Sequence, residues 1–355
     1  MNLNPELCDE LPLGDEFIEQ FEAYAKEHAV PISGTFELTP RCNFNCNMCY
    51  VHIAENRIHK FGSELDSSEW IRLAEQALEL GTLSLCITGG EPFLHPDFEQ
   101  IYRELAQMGF RITLQTNAST LSDKILRLLD EYPPNTVKTT IYGSNDDVYR
   151  AVCSVEKGFT RVDAGLRALK DLNIPIVAVT TVVKQNMGDL KNIHRYTQEL
   201  QIPWIYTTSV HPSVRGAETR ASSVAIDEET ATDFRADVRR MMSLPPRKAD
   251  DKPCDYCKGY RKSFWITWNG MIRFCSFMNE PNISVRGRDL QSAWQELVDY
   301  EEQLRWPDAC YKCEARQVCR MCAGSIAARS GSICKVNEDF CKKFKTYVKR
   351  ESEGI

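Results

Sequence analysis

Between Thr35 and Thr208 the chain repeats one alternation six times: a short β-branched or apolar run, then a longer run with helical periodicity. The short runs are Thr35–Thr39, Leu83–Thr88, Arg111–Thr116, Thr136–Ile141, Ile176–Val182 and Trp204–Thr208. Between them, Ser67–Leu80, Asp97–Met108, Ser122–Asp130, Phe159–Leu172 and Met187–Leu200 place apolar residues at helical spacing. Asp66 with Glu69 predicts a capping pair at the start of the first of these helices, and Gly81 a stop at its end. Several strands are almost wholly apolar or β-branched, as expected when both faces of a sheet are covered. The alternation predicts an α/β fold: a parallel sheet or an incomplete barrel. In such folds ligands gather beyond the C-terminal ends of the strands.

Two motifs fall at that end. Directly after the first strand comes Arg41-Cys42-Asn43-Phe44-Asn45-Cys46-Asn47-Met48-Cys49-Tyr50, with thiols spaced C-x3-C-x2-C. Thiolates this close in sequence can converge from one loop on a soft metal centre. A closed tetrahedral site needs a fourth ligand, so either His52 or His59 completes a zinc site or one metal position stays open. After the second strand comes Thr88-Gly89-Gly90-Glu91-Pro92. Its glycines allow close backbone approach, Glu91 can accept from an ammonium group, and Pro92 fixes the exit.

The chain has 355 residues and 15 cysteines. An odd count in a large chain with no secretory signal suits metal binding in a reducing cytoplasm better than a disulfide framework. A net charge of −7 argues against a nucleic-acid binder, and no apolar run approaches the ~18 residues of a membrane span. Residues 1–30 read as a lead-in whose Asp15–His28 segment packs Phe17, Ile18, Phe21 and Tyr24 on the main domain, which covers 31–243. Residues 244–253, rich in proline and charge, read as a linker. Nine cysteines lie between Cys254 and Cys341, which sets 254–355 apart as a Cys-rich domain. On spacing alone its C-x2-C pairs with distant partners fit zinc ribbons. Phe264, Trp265, Trp268, Phe274 and Phe277 read as packing for that domain, and Cys86 as a buried small hydrophobe.

Together, the three-cysteine loop after strand one, Gly-Gly-Glu-Pro after strand two and the six strand–helix units resemble the radical S-adenosylmethionine (radical SAM) superfamily across Thr35–Thr208. The resemblance implies a partial (β/α)6 TIM-type barrel with a [4Fe–4S] cluster on Cys42, Cys46 and Cys49. SAM would chelate the open iron and yield methionine and a 5′-deoxyadenosyl radical that abstracts hydrogen from substrate. It further implies that Gly89, Gly90 and Glu91, in the turn that Pro92 closes, meet the methionine amino group. Thr116 and Asn117 would lie near the ribose or methionine part, and Thr140 near the SAM carboxylate. Where many relatives carry an arginine for that carboxylate this chain has Val152, with Arg150 nearby. Beside such a core, the distal cysteines resemble a SPASM domain with two auxiliary [4Fe–4S] clusters. Motif order implies Cys254, Cys257, Cys275 and Cys322 for the first, and Cys310, Cys313, Cys319 and Cys341 for the second. Cys334 is left over and can exchange with Cys322.

The resemblance implies an enzyme that oxidatively modifies a ribosomally made peptide or protein, the auxiliary clusters accepting an electron. Its partners would be the peptide, an external reductant of flavodoxin or ferredoxin type, and a separate leader-peptide-binding protein. A small-molecule dehydrogenase, an anaerobic sulfatase maturase and a non-catalytic zinc or cluster module are the alternatives. The maturase reading is weakened by Ser276, where those enzymes carry an Asp after the G-x4-C cysteine, and by Tyr142 before Gly143. The sequence singles out no catalytic acid or base.

Overall fold

The computed structural model describes residues 15–218, 220–227, 230–231, 257, 259–316, 319, 322–338, 341–342 and 345. Cys8, Cys254, the 244–253 segment and the end of the chain lie outside them. Described elements, in chain order, begin with α1 (Asp15–Glu27), β1 (Ser33–Glu37), α2 (Ser67–Glu79), β2 (Ser84–Thr88), α3 (Phe98–Gln107) and β3 (Arg111–Thr116). They continue with α4 (Asp123–Glu131), β4 (Thr136–Thr140), α5 (Asp146–Cys153), α6 (Gly158–Asp171), β5 (Ile176–Thr181), α7 (Leu190–Glu199) and β6 (Trp204–Thr207). The C-terminal segment adds β7 (Ser263–Ile266), β8 (Met271–Arg273), β9 (Ile283–Ser284), α8 (Leu290–Gln303) and α9 (Ala323–Ser330).

All these strands form one sheet in the order β6-β5-β4-β3-β2-β1-β7-β8-β9. Strands β1 to β6 are parallel throughout, and β6 does not pair with β1, so the barrel is partial and open. The local signals act as read: Asp66 and Glu69 form a reciprocal capping box on α2, and Gly81 adopts φ +95° beyond its end. Strand β1 starts and stops two residues earlier than expected, because Leu38 and Thr39 already turn toward the cysteine loop. The helix α5, the β7–β9 extension and the helices α8 and α9 go beyond what the sequence predicts.

Strand β7 pairs in parallel with β1, in register Ser33↔Ser263 to Phe36↔Ile266. The hydrogen-bonded sheet therefore runs on into the Cys-rich segment. Phe264 packs on Phe36 and on Trp294 of α8, while Phe36 also meets Trp70 of α2. These rings belong to the main apolar core, where each is worth roughly 1.5–3 kcal/mol of burial. Trp265 points to the opposite face and bonds Glu37.

The face of α1 differs from the expectation. Its buried residue is Ala25, while Phe17, Ile18 and Tyr24 are exposed. Contacts from Arg261 to the carbonyls of Lys26 and Glu27 tie its C-terminal end to the start of β7.

In α8, Glu301 is 1% exposed, and its carboxylate has no side-chain hydrogen-bond partner among the described residues, only the backbone of Arg261 beside it. Burial pushes its pKa up to about 8, against the opposing pull of Arg261. A carboxyl group raised in the folded state binds its proton more tightly there than in the unfolded chain. Its contribution is therefore complete below the unfolded value near 4.5 and fades as pH rises through about 8. Urea melts are expected to show wild-type stability falling across this window by about 5 kcal/mol. Glu301→Gln should flatten that decline; an unchanged slope would mean that the group is already solvated.

Candidate active site

The C-terminal ends of β1 to β4 place four loops side by side. The cysteine loop after β1 is held mainly by α5. At the C-terminal end of a helix the last carbonyls lack intrahelical partners; here they accept from the loop. Asn45 N donates to the Cys153 carbonyl (3.0 Å), Asn47 N to Val152 (3.0 Å) and the Asn47 amide to Ala151 (3.0 Å). Ser154, at φ 52°, ends that helix.

Below the cysteine loop lies the Gly-Gly-Glu turn. Gly90 N donates to the Thr39 carbonyl (2.7 Å) and Glu91 N to that of Arg41 (2.8 Å). A Cβ on Gly89 would meet the Thr39 carbonyl oxygen at 2.7 Å, and one on Gly90 the Arg41 oxygen at 2.3 Å. The close approach that these glycines permit is to the cysteine loop itself. The Glu91 carboxylate is also committed internally, although the sequence suggested an ammonium ligand. It accepts from Thr116 Oγ1 (2.7 Å), Asn117 N (2.8 Å) and Phe93 N (3.5 Å). Burial nevertheless pushes its pKa up to about 7.

Thr116 and Asn117 extend this network. The Asn117 amide donates to Asn43 Oδ1 (2.9 Å) and points toward Cys42 Sγ (3.8 Å), while Asn43 donates to Ser119 (2.7 Å). Thr140 lies on the inner face at the end of β4, its carbonyl accepting from the Tyr149 hydroxyl. Arg150 turns outward to Asp147 and Glu156, away from these loops.

Cys42, Cys46 and Cys49 lie within electrostatic reach of one another. Phe44 N donates to Cys42 Sγ (3.4 Å) and His52 N to Cys49 Sγ (3.3 Å), whereas Cys46 contacts the buried Cys153 thiol. Burial raises the pKa of Cys42, and pushes Cys49 up to about 11. Holding thiolates here therefore needs a compensating positive centre. Among the described residues, no three His, Cys, Asp or Glu gather tightly enough for a single metal ion. The backbone N–H groups of Phe44 and His52 supply donors that would favour thiolate at Cys42 and Cys49.

The distal cysteines fall into two groups. Cys310, Cys313, Cys319 and Cys341 interact electrostatically, as do Cys257 and Cys275. Cys322 caps α9, where it accepts from Ser325 N (3.2 Å), and the next residue but one, Gly324, lies against Cys275 Sγ. Cys334 is apart, its thiol directed at the Arg305 carbonyl. Rings connect this region to the first loop: Tyr50 lies 4.9 Å from Phe277, and Phe277 lies 4.0 Å from buried His211. Burial drives the His211 pKa down to about 4, so it packs as neutral imidazole. Cys86 is half-buried and faces the barrel interior, not the core beneath the helices.

A half-open barrel of six parallel strands, with three thiols over the first and a glycine turn locked beneath them, defines an α/β enzyme whose chemistry sits at the strand ends. Residues 36–197 match the Radical SAM superfamily, so the chain carries a Radical SAM domain over that stretch. The family implies a [4Fe–4S] cluster and SAM. The chain is 22% identical to an AdoMet-dependent heme synthase of Methanosarcina barkeri, over 86% of this chain and 95% of that one. It is 24% identical to a PqqA peptide cyclase of Ruegeria pomeroyi, over 88% and 89% respectively. Streptococcus suis SuiB, solved bound to its precursor peptide SuiA, has the same fold: TM-score 0.65, 15% identity, 90% of this chain and 82% of that one. Among the described residues no helix is long and apolar enough to cross a membrane.

Proposed function

We propose that this chain oxidatively modifies a ribosomally made peptide or protein by SAM-derived radical chemistry, forming a crosslink, a thioether or a dehydrogenated residue. The observation that carries this reading is the seating of the Gly89-Gly90 turn on the backbone of the three-cysteine loop. It joins the loop that would hold the metal and the turn that would hold SAM into one unit. Cys42, Cys46 and Cys49 would hold the cluster, and Gly89, Gly90, Glu91 and Pro92 the methionine end of SAM through backbone groups, since the Glu91 side chain is occupied. Bound there, cluster and SAM together supply a 5′-deoxyadenosyl radical. Thr140 faces the same interior, and Thr116 with Asn117 stiffens the floor between the loops.

Cys254, Cys257, Cys275 and Cys322 are assigned to one auxiliary cluster, Cys310, Cys313, Cys319 and Cys341 to the other. Gly324, two residues after Cys322, lies against Cys275 Sγ while the Cys334 thiol faces the Arg305 carbonyl, which supports this choice. Fully ligated clusters suit electron transfer. Dehydrogenation then balances: one hydrogen atom leaves to 5′-deoxyadenosine, one electron to an auxiliary cluster and one proton to solvent. A flavodoxin- or ferredoxin-type donor in the cytoplasm would supply the electron that cleaves SAM, and a separate leader-binding protein would present the peptide. PqqA peptide cyclase and SuiB, by their names and bound peptide, support a peptide substrate. The heme synthase relative favours a second reading, a small-molecule substrate.

Anaerobic reconstitution is expected to load about twelve irons per chain, as three [4Fe–4S] clusters require. The reduced protein should then release 5′-deoxyadenosine from SAM. No 5′-deoxyadenosine would overturn the enzymatic reading. A peptide encoded beside this chain that loses two hydrogens supports the first substrate class, whereas turnover of a tetrapyrrole and not of peptide supports the second.

A further inference from the structure

On the inner face of the half-barrel, β4 carries a charged group that nothing described so far uses. In β4 the residues Val137 and Thr139 are buried, whereas Lys138 between them is exposed on the opposite, inward side. Its strand neighbours in register are Gln115 of β3 and Val177 of β5. Cys86, an inward residue of β2 one strand further on, lies within electrostatic reach of Lys138, as two side chains on the same face would. The position lies one inward-facing residue below Thr140, toward the floor of the trough.

Lysine is disfavoured in the middle of strands, and in a central parallel strand it normally finds a carboxylate. Among the described residues none pairs with Lys138. The carboxylate on the inner face of β1, Glu37, is taken on both oxygens by Arg215 at 2.8 and 2.9 Å. Gln115 adds a second donor. Its Oε1 accepts from Thr88 Oγ1 at 3.3 Å, so its NH2 group is left to donate toward the trough. Side chains on paired strands stand about 4.8 Å apart, a spacing that the two oxygens of one carboxylate can bridge.

We propose that Lys138 and the Gln115 amide anchor a substrate carboxylate inside the half-barrel, so that the modified peptide carries an acidic residue close to the carbon attacked. This rests on the peptide-modifying reading for the identity of the carboxylate, but not for the anchor itself. The chain's overall negative charge does not oppose it, because that field is screened within about 8 Å at physiological salt while the lysine acts in contact.

The test uses the full chain, anaerobically reconstituted with SAM present, and saturation-transfer NMR. Four probes are compared: the blocked peptides acetyl-Gly-Ala-Xaa-Ala-Gly-amide with Xaa as Glu, Gln or Lys, and free glutarate. Wild type is expected to favour the Glu peptide over the Gln peptide by about tenfold, equivalent to ~1.4 kcal/mol. Lys138→Gln should bring the ratio to about one, and Lys138→Arg should preserve it. Lys138→Glu should reverse the preference toward a matching peptide with Xaa as Lys, a gain that misfolding cannot mimic. Equal binding of the Glu and Gln peptides by wild type, or a Glu preference that survives Lys138→Gln, would overturn the anchor. Absence of binding by all probes would also overturn it. Lys138-dependent binding of glutarate without any of the peptides would keep the anchor and remove the peptide reading.

Discussion

Glu37→Gln and Arg215→Ala are each expected to destabilise the folded protein by about 3–5 kcal/mol, roughly 6–10 °C in melting temperature. Glu37 is fully buried at the end of β1, and Arg215 is 8% exposed in the segment after β6. The guanidinium donates to both carboxylate oxygens, at 2.8 and 2.9 Å, and the Trp265 indole donates to the same carboxylate at 3.0 Å. A pair taken out of water gains little over two apolar residues of the same size, but losing one partner strands the other charge. Here the stranding is doubled. Arg273 lies close enough to be affected by both, and burial with Arg215 beside it lowers its pKa to about 10. Removing Glu37 leaves two buried guanidinium groups facing each other.

The location makes this pair more than a stability device. Strands β1 and β6 do not pair, so Arg215 carries the chain back across the open side of the barrel to β1. The Arg215 backbone also donates to Asn279 Oδ1, which ties the same segment to the loop after Cys275. In the same segment the His211 ring packs at a tilt against Phe277, and Phe277 at a tilt against Tyr50 beside Cys49. The double variant Glu37→Met with Arg215→Met should recover most of the loss, because no charge is then left unpaired. A Glu37→Gln protein within about 1 kcal/mol of wild type in urea melts would show that water reaches the pair.

Such a contact is invisible in sequence, where the partners lie 178 positions apart. What was legible is local. The six strands announced themselves by β-branched runs bounded by polar turns, and their parallel order followed from the helices between them. The end of β1 was misplaced because Leu38 and Thr39 look like strand while their backbone serves the glycine turn. Helix α5 was missed because eight residues give only two turns of periodicity, yet its carbonyls carry the cysteine loop. The β7–β9 extension was missed because Phe264-Trp265-Ile266 is short and sits among cysteines that suggest a separate unit. At the candidate site, residue types place the motifs at the C-terminal ends of the strands but not where each side chain turns. Glu91 and Asn117, read as ligand contacts, spend their polar atoms on Thr116, Asn43 and the backbone. Lys138 drew no notice, since one lysine in a strand says nothing until the register puts it inside the barrel.

Gly90→Ala should leave the fold standing while emptying the first cluster site. The added methyl group would lie 2.3 Å from the Arg41 carbonyl oxygen, 2.8 Å from its carbon and 2.9 Å from the Pro40 oxygen. These are backbone atoms, which cannot swing aside as the tip of a side chain can. Relief has to come from moving the cysteine loop, and Arg41 immediately precedes Cys42. The hydrogen bonds from Gly90 N to Thr39 and from Glu91 N to Arg41 stretch in the same movement. The stability cost of such overpacking is about 1–3 kcal/mol, which a chain of this size survives. The effect on chemistry is larger, because a misplacement of about 1 Å in a reacting assembly lowers rates on the order of 100-fold. Iron content is therefore expected to fall by about four per chain with the auxiliary cluster absorbance retained, and 5′-deoxyadenosine release to drop at least about 100-fold. Gly188→Ala is the matched control, since a Cβ there meets nothing within 4 Å. Full iron loading and a wild-type rate in Gly90→Ala would mean that the two loops do not need each other, and the proposed site would lose the observation on which it stands.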